Sequence, residues 1–356
     1  MSDRPGRGGD RTSSGKLPTM RDVARSIGVS HMTVSRVVNG DKAVRPHTRK
    51  RVEDAIEQLR FSPNSAARAL STAQSARVAL LHRFPNAGSL GDYLIHLLQA
   101  STRAHASLII REGVAGEHEK VVGELVEDGI QGAILAPPLG DDEALIASLR
   151  ARRIAIVATG SIRHDTAFPS VGIDDRAAAR AMTEHLLARG HRRIGMITGR
   201  ENHASSLLRY EGYRDALDAA GQARDDRLVA EGLFTYQSGL IAAERLLSLA
   251  EPPSAIFASN DDMAAATVAT AHRRGIDVPR DLSVCGFDDT PLATTVWPAL
   301  TTIRQPTLDL TRIAFEMILR EIAAPSTPNS DTRRVTLDYA LVERQSDGVA
   351  NRGGAG

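Results

Sequence analysis

Two groups of residues in this sequence have the types and spacing to do chemistry. In HMTVSRVVN, His31 and Ser35, and likewise Met32 and Arg36, are four apart and share one side of a helix, opposite Val34, Val37 and Val38. That side carries no acid, and an arginine such as Arg36 can grip guanine through two hydrogen bonds, about 1–3 kcal/mol of discrimination. The second group sits where short apolar runs end: Asp174-Asp175 in GIDD, Asn260-Asp261-Asp262 in FASNDD and Asp288-Asp289 in CGFDD. Carboxylate acceptors beside an amide fit a hydroxyl-rich ligand. Acids in such positions cap helices about as often.

Other chemistry has little support. The three acidic doublets have no His or Cys pattern beside them, and each is expected to begin a helix rather than hold a metal. His118, His185, His191 and His272 share no ligand spacing, no Ser/His/Asp order stands out, and EGVAGE lacks the Lys of a phosphate loop. Cys285, the single cysteine, falls inside an expected strand as inert packing; it forms no internal disulfide and fits a reducing cytoplasm. The expectation is no catalysis, no metal and no cofactor.

The elements that must position the first group are short helices. Thr19 and Asp22 have capping-box spacing, and Met20, Val23, Ala24 and Ile27 form one stripe. Gly28 turns the chain, Ser30 caps the second helix, and Asn39-Gly40 ends it. Pro46 opens a third helix with Val52, Ala55, Ile56 and Leu59 inward. This is a helix-turn-helix pattern, which lays its second helix in the major groove. Arg25, Arg45, Arg49, Lys50 and Arg51 suit phosphates, setting affinity rather than sequence choice.

After Ser75 the runs RVALL, SLIIR, GAILAP, IAIVA, RIGMIT, SAIFAS and DLSVCGF read as buried parallel strands alternating with helices such as AAARAMTEHLLARG. Seven such strands favour two similar α/β subdomains, with a ligand cleft beyond the strand ends.

The net charge of +1, from 44 Lys/Arg and 43 Asp/Glu, conceals a division. Residues 1–72 carry 14 basic and 7 acidic side chains, a net of +7, whereas the rest carries −6. Only +2 of that excess lies in residues 1–18, so most of it belongs to folded-looking sequence with a polyanion partner. No apolar run approaches the roughly 20 residues of a membrane span, and the N-terminus has no apolar stretch of a secretory signal. The expected setting is the cytoplasm, with no membrane partner.

TMRDVARSIGVSHMTVSRVVNG, then VRPHTRKRV and FSPNSAARALST, resembles the lactose-repressor (LacI/GalR) family of bacterial transcription regulators without a gap from Thr19 to Thr72, and more loosely to about Arg344. The resemblance implies an N-terminal all-α headpiece with a hinge helix, followed by an α/β, two-lobed, periplasmic-binding-protein-like effector domain with parallel sheets and three crossovers. It puts His31 and Met32 at the positions that tune operator choice and Arg36 at a third base-reading position. Thr33, Ser35, Asn39 and Arg49 complete the expected DNA contacts of the headpiece. PNSAARAL matches the hinge helix, with Leu70 as a minor-groove wedge and Ala66 and Ala67 small enough for close approach. Arg45 departs from the family, which usually has Ser or Thr before this proline as a cap worth roughly 0.5–2 kcal/mol.

In the body, Arg209 lies three before Gly212, as the family's effector-gripping arginine does, and Phe234 in GLFTYQSG matches an aromatic wall. With Asp288, Asn260 and Asp174 these form the expected effector set. The first lobe lacks the family's Asn-Pro-Phe signature; LLHRFPNAGSLGDYLIHLL stands there instead, so that His82, Arg83, Phe84, Ser89 and Tyr93 line the cleft if the register holds. The expected divisions are a disordered tail at 1–18, headpiece 19–62, hinge and linker 63–75, effector and dimerisation domain 76–346 and a disordered tail 347–356. The first lobe is expected at 76–173 plus 305–328, the second at 174–304 plus 329–346. The expected partners are double-stranded operator DNA, a carbohydrate-like effector and a second copy of the chain. A purine-type corepressor is the alternative to a sugar-type inducer. A sugar transport protein would lack the basic headpiece, and an enzyme would need the missing nucleophile and cofactor motifs.

Overall fold

The apolar stripes of the headpiece close on one another. A computed structural model describes residues 20–38, 44–59, 75–83, 87–114, 116–160, 168–324 and 334–351, except the side chains of 38, 87–90 and 92. The chain divides into two units after Ser75. In the first, α1 (Met20–Ile27), α2 (His31–Val38) and α3 (Pro46–Gln58) bury Val23, Ala24, Val34, Val37, Val52 and Ala55 together. Gly28 takes φ +65°, the left-handed turn between α1 and α2. Ser30 Oγ accepts from Thr33 N at 3.1 Å, capping α2 as its sequence position suggests. Arg45 at the start of α3 makes no side-chain cap, so that helix relies on Pro46 in its first turn.

The second unit is a pair of α/β lobes. In the first lobe β1 (Arg77–His82), β2 (Ser107–Glu112), β3 (Gly132–Leu135), β4 (Ala155–Thr159), β5 (Ser170–Ile173) and β11 (Arg334–Leu337) form one parallel sheet in the order β11-β5-β4-β3-β1-β2. Alternation along β1 sends Ala79 and Leu81 to one apolar core and Val78 and Leu80 to the other. The helices α4 (Ala87–Arg103), α5 (His118–Glu127), α6 (Glu143–Ala151) and α12 (Thr307–Ala323) cover these faces.

In the second lobe β6 (Ile194–Thr198), β7 (Val229–Glu231), β8 (Ala255–Ala258) and β9 (Ser283–Cys285) are parallel in the order β7-β6-β8-β9. The antiparallel pair β10 (Thr302–Arg304) and β12 (Ala340–Val342) joins them through a bridge from Cys285 to Thr301. Its helices are α7 (Asp175–Ala188), α8 (Ala204–Ala219), α9 (Tyr236–Leu247), α10 (Asp261–Arg273) and the short α11 (Leu292–Thr295). Gly212 lets α8 lie close against α7, since a Cβ there would sit 2.1 Å from the Arg176 carbonyl. Cys285 is fully buried in β9, and burial pushes its thiol up, consistent with packing rather than reactivity.

The chain crosses between lobes three times: at Ile173–Asp174, between Arg304 and Thr307, and between Leu337 and Ala340. The last crossing differs from the expected one near residue 328. RVTL pairs with β5 in the first lobe, and only ALV returns to the second. Four- and three-residue strands carry too little pattern to reveal which sheet they join.

The expected tail from 347 also needs correction. The Asp347 carboxylate is buried against His185 and Arg189, at 2.7 Å from each, and accepts from the Thr301 hydroxyl. Ala350 N donates to Arg189 O, and Asn351 Nδ2 donates to Arg280 O. The body therefore continues to Asn351. No helix among the described residues is long and apolar enough to cross a membrane.

Candidate functional site

A cavity of about 710 Å³ opens where the strand ends of the two lobes face each other. Its second-lobe wall is centred on Arg209, which projects from α8 and is nearly fully buried. Arg209 Nε donates to Asp175 Oδ1 at 2.6 Å, Nη1 donates to the Ser259 carbonyl, and Nη2 lies 3.6 Å from Asp288 Oδ1. Its guanidinium carbon stands 3.5 Å from the Phe287 ring centroid. A planar cation held this way is fixed in direction as well as charge.

Asp288 reaches the cavity from a strained stretch: Asp288 has φ +106° and Asp289 φ +56°. Such backbone costs of order 1–3 kcal/mol per residue and persists only when its surroundings hold it. Asp288 N donates to Ile303 O, Gln305 Nε2 donates to Asp288 Oδ1 at 2.7 Å, and Asp289 is clamped by Arg304 and Arg344 at 2.6 Å each. Burial pushes the Asp288 carboxyl up to about 6, against the pull of Arg209 and the Gln305 hydrogen bond. Beneath it, burial and the Asp288 charge raise Asp261 to about 8, although Thr302 and Thr290 both donate to it.

Asn260 lines the cavity but its amide is already engaged. Oδ1 caps α10 by accepting from Met263 N at 3.0 Å, and Nδ2 donates to the Phe234 carbonyl at 3.1 Å. Phe234 itself has φ +59°, and its ring lies over Gly199, where a Cβ would come within 2.1 Å of the ring. The ring stacks on His203, centroids 5.5 Å apart.

From the first lobe, Arg83 and Tyr93 line the cavity as expected. Arg83 Nε donates to the Gly113 carbonyl and Nη2 to Asp142 Oδ2 at 3.1 Å. The Tyr93 and Thr159 hydroxyls share a hydrogen bond of 2.6 Å, and burial pushes the Tyr93 phenol up. His82 is not among the lining residues, and neither Phe84 nor the side chain of Ser89 is among the described residues.

Asp174 does not join this set. It is exposed and caps α7 by accepting from Ala177 N at 2.9 Å, and the next residue, Asp175, is the buried acid that meets Arg209. The doublets therefore do not all cap helices, because Asp288 and Asp289 precede no helix start and α11 begins only at Leu292. Arg200, His203, Ser205, Thr290 and Gln305 also line the cavity and were not singled out in the sequence. No signal marks the loop residues among them, whose approach depends on both lobes. No cluster of His, Cys, Asp and Glu among the described residues has metal-binding geometry.

In the headpiece, His31, Met32 and Arg36 are exposed on α2, Met32 at 64%, while Thr33, Ser35 and Arg49 are half-buried. Arg51 donates to the Ile27 carbonyl at 2.7 Å, fastening the end of α1 rather than waiting for a phosphate, and Arg25 pairs with Asp22. Asn39, Ala66, Ala67 and Leu70 lie outside the described residues.

Residues 19–64 match the family model described as bacterial regulatory proteins, lacI family, and 183–346 match the periplasmic binding protein-like domain. Over 339 residues the chain is 33% identical to the HTH-type transcriptional regulator CelR of Thermobifida fusca, covering 93% of this chain and 98% of that protein. It is 31% identical over 333 residues to catabolite control protein A of Priestia megaterium, covering 92% and 98%. The chain belongs to the lacI family of bacterial regulatory proteins.

As a lacI-family protein it is a DNA-binding transcriptional regulator with a periplasmic-binding-protein-like effector domain. Its structure is similar to that of the Lac repressor dimer bound to operator and the anti-inducer ONPF, with a TM-score of 0.81, 27% identity and coverage of 94% of this chain and 100% of that one. It is also similar to a CelR–cellobiose complex, with a TM-score of 0.70, 31% identity and coverage of 92% and 99%. Within this lacI-family body, the expected Arg209, Asp288, Asn260 and Phe234 all line one cavity, and Asp174 alone of the second-lobe set falls outside it.

Proposed function

We propose that this chain is a repressor that binds a two-fold symmetric operator as a homodimer and is switched by a sugar or sugar derivative in the inter-lobe cavity. The reading rests on one observation above all: Arg209 and Asp288, donor and acceptor held 3.6 Å apart, line the same cavity as the Phe234 ring, and both lobes wall it. A polyol presents hydroxyls to such a pair and a C–H face to the ring. Relatives support it by their descriptions: CelR is solved with cellobiose, and the Lac repressor dimer with its operator.

Residues 19–62 serve as the DNA-binding headpiece, 63–75 as the hinge and the body as effector and dimerisation domain, working in the cytoplasm without catalysis. His31, Met32 and Arg36, with Thr33, Ser35 and Asn39, read the operator and Arg49 binds phosphate. Ala66, Ala67 and Leu70 enter the minor groove. Effector binding closes the lobes and changes the order of the hinge, a coupling typically of about 1–3 kcal/mol that must be reciprocal.

A mobility-shift titration tests this, using operator selected from random duplexes and a panel of sugars and purines. A sugar that releases DNA supports the inducer reading. A purine that tightens the complex supports the corepressor alternative, for which the stacked Phe234 and His203 rings offer a flat surface. Effector affinity unchanged by operator would defeat the mechanism.

A further inference from the structure

Three features of the cavity mouth converge on a negatively charged ligand group. Arg200, exposed on the second lobe, lines the cavity, and its guanidinium makes no hydrogen bond or ion pair to any described residue, only its carbonyl accepting from His203 N. Arg83 reaches the same cavity from the first lobe, preset by the Gly113 carbonyl and by Asp142. Asp142 is shared, since it also takes His118 at 2.9 Å and caps α6 through Leu145 N, so it answers the Arg83 charge only in part. The charges of both arginines act on His203, where α8 begins. His203 occupies its N-cap position and makes no side-chain hydrogen bond to the first-turn amides of this 16-residue helix. Burial, then Arg200, then Arg83 hold His203 down to about 4: the imidazole stays neutral in a field made positive from both lobes.

The acids at the cavity floor are already matched to Arg209, Arg304 and Arg344. Glu112 is the exposed acid on the same rim, where its charge acts on His82.

We infer that the effector carries a carboxylate or phosphate held between Arg200 and Arg83 at the first turn of α8, so the site takes sugar acids or sugar phosphates in preference to neutral sugars. The inference rests on the effector reading above and specifies its ligand class. A guanidinium from each lobe on one anion also draws the lobes together, because each charged hydrogen bond is stronger than its neutral counterpart.

Calorimetric titration of the full chain with glucose and galactose, their uronic acids and their 6-phosphates tests it. At least one acid or phosphate binds tighter than its neutral parent by about tenfold or more. The uronate and phosphate arms tell which anion the site prefers. Arg200→Ala removes that advantage without changing the melting temperature, since the Arg200 side chain is exposed and pairs with no described residue. Glu112→Gln leaves anion binding unchanged or stronger. A neutral parent binding as tightly, or no response to any acid or phosphate, overturns the inference. So does Glu112→Gln weakening binding as much as Arg200→Ala, which would mark an Arg200–Glu112 latch between the lobes instead. A neutral sugar that shifts operator affinity and binds at least as tightly as its acid and its phosphate sinks the anion and leaves the effector reading standing, whereas operator binding indifferent to every compound counts against both.

Discussion

The guanidinium of Arg209 is stacked on the Phe287 ring, 3.5 Å from its centroid, and hydrogen-bonded edge-on to buried Asp175. The arginine is thus part of the second-lobe core as well as the cavity wall, and its roles in stability and in binding are one arrangement.

Arg209→Met leaves Asp175 buried without its cation, an expected loss of about 3–5 kcal/mol in urea unfolding. Adding Asp175→Leu recovers part of that loss, giving a clearly non-additive cycle. Additive values would show that the two residues do not act as a pair.

Asp261 and Asp288 make stability depend on pH in an identifiable direction. Burial raises both, to about 8 and about 6, so the folded chain holds their protons more tightly than the unfolded chain does. Their contribution is complete below the ordinary carboxylate value of about 4 and is lost as pH rises through about 6 to 8. Asp261→Asn can keep its acceptor toward Thr290 and turn its amide to the Thr302 hydroxyl, so it should fold. Urea midpoints between pH 5 and 8 should fall with pH in the parent and flatten in this variant; parallel curves would refute the assignment.

The C-terminal segment works with the opposite sign. His185, Thr301 and Arg189 outweigh the effect of burial and keep Asp347 below the usual carboxylate range. Its contribution is present at neutral pH and fades in acid, as the carboxyl protonates below its ordinary value. Truncation after Ser346 removes this carboxylate and leaves Arg189 and His185 facing each other, so thermal melting at pH 7 should drop by several degrees, corresponding to about 1–3 kcal/mol. An unchanged melting temperature would mean that the segment only decorates the surface.

In the headpiece, His31→Ala and Met32→Ala should alter the bases recovered from random duplexes, by about 1–3 kcal/mol at the affected position. Arg49→Ala should weaken all sequences alike and lessen the salt dependence of binding. A changed motif with Arg49→Ala would reverse the assignment of these contacts.

Much of this was legible in the amino-acid sequence. The apolar spacing of residues 20–59 specified three short helices, and Ser30, Gly28 and Pro46 marked their joints, because capping and turn chemistry are local. The seven longer apolar runs of the body all became strands, since burial on both faces leaves a continuous signature. Asn260 and Asp288 were legible from their place at the ends of strand-like apolar runs, and Arg209 and Phe234 through the resemblance that their surrounding motifs carry.

Tertiary structure alone decided which member of each acidic doublet faces inward: Asp174 caps a helix while Asp175 meets Arg209, a difference set by the turn from β5 into α7. It also decided that β11 joins the first lobe, that Asp347 is buried against α7, and that Arg83 and Arg200 look into one cavity. Those are pairings between segments far apart in the chain. Residue type and spacing govern what a segment can form by itself, whereas the partner it meets depends on which surfaces the completed lobes bring within reach.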